Sequence, residues 1–264
     1  MQPGIHITNP LENLPADLKR RLDGAEWQEN RIGWFGVQVY HIMGHGYLKI
    51  AAGDLDLRPE KERLEWLHGR LPVPELKYFT EEAGRQIMLI SEIPGLPSHD
   101  DAFRDQPERV VTLLAEALKT IHALDTSSCP FDQRLDTLIA TAQDNYVRGR
   151  VDESQFDDGH WGRTAQDLFS ELLSTRPTDE HPVFVHGDYC LPNILIDPQT
   201  WRITGFIDWG GAGISDPHYD LGLAARSIGF NLGKEWVTPF FETYGAAKIN
   251  PAKITYYQLI DEFF

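Results

Sequence analysis

Two short apolar segments, Ile194–Ile196 and Ile203–Ile207, flank a turn-like "DPQTW" and constrain this chain more than any other feature. β-Branched runs bounded by an Asp-Pro turn are expected to pair as a hairpin. That pairing brings Asn193, entering the first strand, close to Asp208, leaving the second, and Asp188 stands in the loop just before. Two carboxylates and an amide from separate sequence positions therefore converge at one end of a hairpin.

The chain around this hairpin changes texture along its length. In the first third, "RIGWFGVQVYHI" and "GYLKIA" predict a twisted hairpin, and "LPVPELKYF" and "RQIMLISE" predict two more strands. One helix interrupts them, "LRPEKERLEWLHGRL", with Leu57, Leu64, Leu67 and Leu71 at helical spacing. After "SEIPGLP" the pattern turns helical. Val110, Leu113, Leu114, Ala117, Leu118 and Ile121 mark one face of a strong amphipathic helix, and further helices are expected near 135–148, 163–175 and from about 217 to the end. The expected architecture is a bilobal α+β chain. A small β-rich lobe would cover 1–94 and a larger, mostly helical lobe 95–264, with a Pro/Gly hinge and a cleft at the hinge.

Composition narrows the class of partner. Lys and Arg total 24 against 40 Asp and Glu, a formal charge of −16, which argues against nucleic acid, since Lys and Arg dominate phosphate binding. A self-repelling soluble surface and a site that collects cations both account for the excess acid. The first 22 residues lack the basic start and apolar run of a signal peptide, and no later run is long enough to span a bilayer. Cys129 and Cys190, far apart, make neither a disulfide framework nor a metal cluster. The expectation is a cytoplasmic protein with no membrane or nucleic-acid partner, a monomer or weak dimer.

Hard Mg²⁺ takes oxygen ligands, one or two from protein and the rest from phosphate and water. The Asn193 carbonyl and the Asp208 carboxylate would supply such a pair, leaving Asp188 to accept a proton from a substrate hydroxyl. In order and spacing, base–four residues–amide and then acid-x-glycine, "HGDYCLPNILID" and "IDWGG" resemble the catalytic and metal loops of the protein-kinase-like fold. With "HGD" at the base, the resemblance is to the small-molecule branch of that superfamily, the aminoglycoside, choline and related phosphotransferases.

The resemblance implies further parts. A lysine on the third strand should hold the phosphates of ATP, and a helix glutamate should hold the lysine. Lys49 in "GYLKI" fits the first role, and Glu60, Glu62 and Glu65 are candidates for the second. Glu60 stands four residues from Leu64 and seven from Leu67, on the apolar stripe, where a charge needs a partner, so Glu60 is the expected one. The adenine edge maps to backbone groups of Ser91 and Ile93. Tyr47 is either a stacking ring for the base or a strand-packing residue. "RIGWFGVQVY" lacks the serine common in the phosphate-covering loop, while Gly33 and Gly36 still permit close approach of backbone amides.

The C-terminal "YYQLIDEFF" closely resembles the ending of aminoglycoside 3'-phosphotransferases. The resemblance implies that Asp261, Glu262 and the carboxylate at Phe264 bind substrate amines, that Asp157 and Asp158 in "FDDGH" form a second acid cluster, and that Asp220 and Arg226 in "YDLGLAARSI" keep the family pattern. It implies an enzyme that transfers the γ-phosphate of ATP to a hydroxyl of a polycationic aminoglycoside, with Mg²⁺, and so confers antibiotic resistance. Two positions depart from the pattern: Gly211, where an arginine is frequent, and Ser227, where an acid is frequent. A choline, ethanolamine or homoserine kinase shares the core, and a nucleotide-binding pseudokinase sensor is the alternative of a different class.

Overall fold

The structure, a computed structural model, describes residue 11 and residues 13–30, 36–157 and 159–264. It divides into two compact units, one taking the chain up to His68 together with Val73–Ile93, the other taking Gly69–Pro72 and everything from Pro94 onward. Gly69–Pro72 joins the second unit because Phe206 donates its N–H to the Pro72 carbonyl at 3.0 Å. Among the described residues no helix is long and apolar enough to cross a membrane.

The first unit comprises α1 (Ala16–Arg21), β1 (Trp27–Asn30), β2 (Gln38–Ile42), β3 (Gly46–Ala52), α2 (Arg58–Leu67), β4 (Leu76–Glu82) and β5 (Arg85–Ile90). Its strands form one antiparallel sheet in the order β1-β2-β3-β5-β4, with β3 central. Side chains alternate along β3. Leu48 and Ile50 enter a core with Tyr40, Ile42, Ile87, Leu89, Leu18 of α1 and Leu22 just past its end. By the two-residue period, Tyr47 and Lys49 share the opposite face. The sequence patterns did not predict α1 or β1. The expected helix through Leu71 stops at Leu67, because His68 is extended and Gly69 is left-handed (φ +77°), so Leu71 lies beyond the end and only half-buried.

The second unit comprises β6 (Leu96–Pro97), α3 (Pro107–His122), α4 (Leu135–Val147), α5 (Ala165–Ser174), β7 (Val183–Val185), β8 (Ile194–Ile196), β9 (Ile203–Phe206), β10 (Gly213–Ser215), α6 (His218–Asn231), α7 (Val237–Gly245) and α8 (Pro251–Asp261). The α3 stripe is rotated slightly from the predicted one: Val111 and Ala115 are buried and Leu113 is half-buried. A capping box at Thr164 and Asp167 starts α5. Every residue of α6 from His218 to Ala225 is buried, which makes it the central helix of the unit.

The predicted hairpin forms as β8 and β9, with Ile194 opposite Phe206, and β6 extends it on the other side of β8. Its tip is fastened by Trp201, which adopts φ +56°, packs on Phe103 at 5.2 Å and carries the Arg109 guanidinium 4.2 Å above its ring. A second pairing, β7 with β10, joins the residues before the Asp188 loop to those after the Asp208 loop. Both ends of the acid–amide–acid set are thus tied to sheet.

Gly46 sets the start of β3. It sits at φ +118°, and a Cβ there would come within 2.0 Å of the Ile90 carbonyl oxygen. Gly46→Ala is expected to lower the unfolding free energy by at least about 2 kcal/mol, read by urea denaturation. Gly44→Ala, also at positive φ but facing open space, serves as the control and should lose less.

Candidate active site

In the first unit, a charge placed on the apolar stripe of α2 finds its counter-ion. Lys49 Nζ lies 2.7 and 2.9 Å from the two carboxylate oxygens of Glu60, and both side chains are buried. Glu62 is exposed and Glu65 pairs with Lys61 at 2.8 Å, so of the three candidates Glu60 is the one that meets Lys49. Removing one partner of such a buried pair costs about 3–5 kcal/mol, because the other charge is left without compensation.

On the face it shares with Lys49, Tyr47 stacks on His41 of the neighbouring strand, with ring centroids 4.8 Å apart. Burial, and then Glu92, raises the Tyr47 phenol above its ordinary range. Just past β5, Ser91 donates its N–H to the Glu75 carbonyl and accepts from the Glu75 N–H at its hydroxyl, both at 2.9 Å. Its own carbonyl is then the group that can accept from a ligand. Ile93, two residues on, is half-buried. Gly33 lies outside the described residues.

In the second unit, the loop from His186 to Asn193 is held by Asp220, a residue of α6 with no exposure to solvent. Its carboxylate accepts from the His186 N–H at 2.8 Å and the Gly187 N–H at 2.9 Å, and His122 Nε2 lies 3.0 Å away. His122 Nδ1 in turn meets the Tyr244 hydroxyl at 2.8 Å. The Asp188 N–H donates to His186 Nδ1 at 3.3 Å, so that nitrogen carries no proton. Burial lowers the His186 pKa, while Asp220, Asp188 and Asp208 pull the other way, and the ring lies 4.2 Å from that of Trp209.

Asn193 is the hub of the loop. Its Nδ2 donates to Asp188 Oδ2 at 2.7 Å and to the Asp188 carbonyl at 3.1 Å. Its backbone carbonyl accepts from the Ile207 N–H at 3.0 Å, which brings Asp208 in immediately behind. Asp208 is exposed and left-handed (φ +61°), a conformation aspartate tolerates better than most residues. It is followed by Trp209, fully buried with its indole N–H on the Phe206 carbonyl at 3.0 Å. The two loops touch through glycine. A Cβ on Gly187, at φ +79°, would come within 2.1 Å of the Gly211 carbonyl oxygen, and one on Gly211 would stand 3.1 Å from the Gly187 carbonyl oxygen. Gly187 is therefore the residue that lets the loops close on each other, and Gly211, one of the two departures in the sequence, supplies the carbonyl it meets.

This donor set suits a hard cation. With the Asn193 nitrogen committed to Asp188, the amide oxygen is the end left to face a metal, and the Asp208 carboxylate supplies a second oxygen. Among the described residues no group of three or more His, Cys, Asp or Glu is arranged to hold a metal ion, so a cation here would draw its remaining ligands from phosphate and water. The Cys190 thiol, between Asp188 and Asn193, is pushed up by burial and by Asp188, which keeps it from forming a thiolate. Neither cysteine is in a disulfide.

The predicted acids gather around Arg226 of α6. Its guanidinium donates to Asp157 Oδ2 at 3.0 Å and, in a shorter contact, to Asp261 Oδ2. Burial raises the Asp261 carboxyl to about 6, with Arg226 opposing the shift and with Asp188 and Glu262 adding to it. Asp188 thus lies within electrostatic range of the terminal acids. Glu262 turns inward, accepting from the Asp157 N–H at 3.2 Å and meeting His160 Nδ1 at 2.7 Å. Phe264 is exposed, and the Phe263 carbonyl is held by Asn145 at 2.9 Å. Asp158 lies outside the described residues.

Three participants were not predicted. His122 supports Asp220, His160 holds Glu262, and Ser227 accepts from the Leu191 N–H at 2.9 Å. His160 closes the acidic segment "FDDGH", a signal that was available, whereas nothing in the α3 pattern distinguishes His122.

With this geometry in place, known proteins fall into register. The signature of the phosphotransferase enzyme family matches residues 26–257. An aminoglycoside 3'-phosphotransferase of Niallia circulans is 35% identical over 265 residues, 98% of this chain and 100% of that protein. A crystal structure of an aminoglycoside-3'-phosphotransferase of type VIII superposes with a TM-score of 0.85 at 32% identity, covering 94% of this chain and 97% of that one. The aminoglycoside phosphotransferase APH(3'')-Id of Streptomyces rimosus in complex with ADP and streptomycin superposes with a TM-score of 0.79 at 26% identity, covering 92% and 95%.

Asp220→Ala would leave two buried backbone N–H groups without an acceptor. It is expected to cost about 3–5 kcal/mol of stability by chemical denaturation, and Asp220→Asn, which keeps one acceptor oxygen, less.

Proposed function

The chain belongs to the phosphotransferase enzyme family, among its aminoglycoside 3'-phosphotransferase members and with their protein-kinase-like fold, and from that premise we propose that it transfers the γ-phosphate of ATP to the 3'-hydroxyl of a kanamycin- or neomycin-type aminoglycoside. The observation that carries the reading is the 2.7 Å bond from Asn193 to Asp188, with Asp208 brought in behind Asn193 by the Ile207 N–H. A base, an amide oxygen and a second carboxylate are joined there through one side chain. Modification of such a drug would confer resistance to it.

Each residue then has a role. Asp188 is half-exposed, and Asn193 takes one of its oxygens, so the carboxylate is oriented with lone pairs open to a substrate hydroxyl. It positions that hydroxyl and accepts its proton as the oxygen attacks phosphorus in line. Asn193 Oδ1 and Asp208 would hold Mg²⁺, which when bound neutralises phosphate charge. Lys49, kept charged and aimed by Glu60, steadies the α- and β-phosphates. Backbone groups of Ser91 and Ile93 meet the adenine edge, and the Tyr47 ring meets its face. Asp157, Asp158 and Asp261 attract the ammonium groups of the drug beside Phe264, Arg226 spaces Asp157 from Asp261, and Glu262 adds negative potential while holding the Asp157 loop. Most of the acceleration would come from positioning and charge neutralisation.

Asp188→Ala is expected to lower turnover by about 10²–10⁴-fold while ATP affinity stays within about threefold. ADP release with MgATP should be seen with kanamycin and not with tobramycin, which lacks the 3'-hydroxyl. Equal turnover with both would keep the drug class and move the hydroxyl, and turnover in the Asp188 variant comparable to wild type would remove the base assignment.

Asp261 adds a pH dependence whose sign follows from its raised carboxyl. A carboxyl raised to about 6 is neutral below that pH in the folded protein and attracts ammonium groups only above it. kcat/KM for kanamycin is therefore expected to rise from pH 5 to pH 7, and Asp261→Asn should flatten this limb. The native state holds the extra proton between about pH 4 and 6, so the contribution of Asp261 to stability falls as pH rises through that window.

A further inference from the structure

We infer that Ser227, one residue beyond Arg226 on α6, is a positioning residue that caps the turn between Asp188 and Asn193 and so sets the geometry of both; the inference rests on the phosphotransferase reading above. Leu191–Asn193 form a single 3₁₀ turn, whose leading N–H groups have no partner within the turn. The residue in the N-cap position is Cys190, whose side chain makes no cap hydrogen bond, in keeping with the weak acceptor strength of a thiol. Ser227 fills that role from another element, its Oγ accepting from the Leu191 N–H at 2.9 Å.

Water cannot substitute, because Leu191 is fully buried. The same residue is gripped on its other side, where its carbonyl accepts from the Ser98 hydroxyl at 2.9 Å. Ser227 is itself held: Asn231, one helical turn on, donates Nδ2 to the Ser227 carbonyl at 2.8 Å and to its Oγ at 3.3 Å. Leu191 lies three residues after Asp188 and two before Asn193, whose side chains are bonded at 2.7 Å, so a shift of this backbone moves the base and the metal-facing amide together. Sites of this kind tolerate only about 0.5 Å of displacement. Ser227 meets neither substrate in this scheme and acts through the backbone alone.

The test compares wild type, Ser227→Ala and Ser227→Thr at a temperature where circular dichroism shows all three folded. Ser227→Ala is expected to lower kcat about ten- to hundredfold with KM for kanamycin within about twofold. It should also raise the Mg²⁺ concentration for half-maximal ATP binding by about threefold or more, a titration that requires no drug. Ser227→Thr, which keeps an acceptor hydroxyl, should return both values to within about threefold of wild type. An alanine variant with the kcat and Mg²⁺ midpoint of wild type, or a folded threonine variant with no recovery, would overturn the inference. Absence of aminoglycoside turnover in the wild type would instead count against the proposed function, while the Mg²⁺ titration would still decide the role of Ser227.

Discussion

A carboxylate sealed from water must be met by donors, and the site depends on how Asp220 meets this requirement. It accepts from two consecutive backbone amides at the start of the Asp188 loop and is supported from behind by His122. Hydrogen bonds to a buried charge are worth about 1.5–3 kcal/mol each, enough to decide a loop conformation. Because Asp220 lies on the most buried helix of its unit, the loop inherits the rigidity of the core. Arg226 and Ser227, further along that helix, reach Asp157 and Asp261 and the middle of the same loop. One helix thus references Asp188, Asn193 and the acid cluster to a common frame.

Backbone permissiveness completes what the carboxylate begins. The Asp188 and Asp208 loops approach so closely at Gly187 and Gly211 that a Cβ on Gly187 would overlap a carbonyl oxygen. Asp208 adopts a left-handed conformation, and the buried Trp209 behind it fixes the chain direction. Dipoles and donors held in this way need little reorganisation when charge moves, which is the condition under which electrostatic stabilisation is most effective.

The acids of this chain fall in two kinds of setting. Many acids are exposed partners of nearby arginines, such as Asp56 with Arg58, Asp132 with Arg134 and Asp144 with Arg148. Pairs of this kind contribute little to stability and serve mainly as solvated surface. Asp157, Asp261 and Glu262 are different, being drawn together around Arg226 and His160. The repulsion between Asp157 and Asp261 is relieved by the Arg226 guanidinium between them.

The sequence by itself determined the parts governed by short-range rules. The β8–β9 hairpin follows from β-branched runs around an Asp-Pro turn, and the Glu60 partner of Lys49 follows from a charge on an apolar stripe. The acid-amide-acid order follows from the spacing of the loops alone. Helix ends, α1 and β1 were less legible, because glycine conformation and burial against distant strands decide them and local pattern does not. The β7–β10 pairing, the contact of Gly187 with Gly211, and the partners that His122, His160 and Ser227 find were decided only by the tertiary structure. Each of these depends on a hydrogen-bond acceptor or a close approach supplied by a segment tens of residues away, and no periodicity in the chain encodes such a meeting.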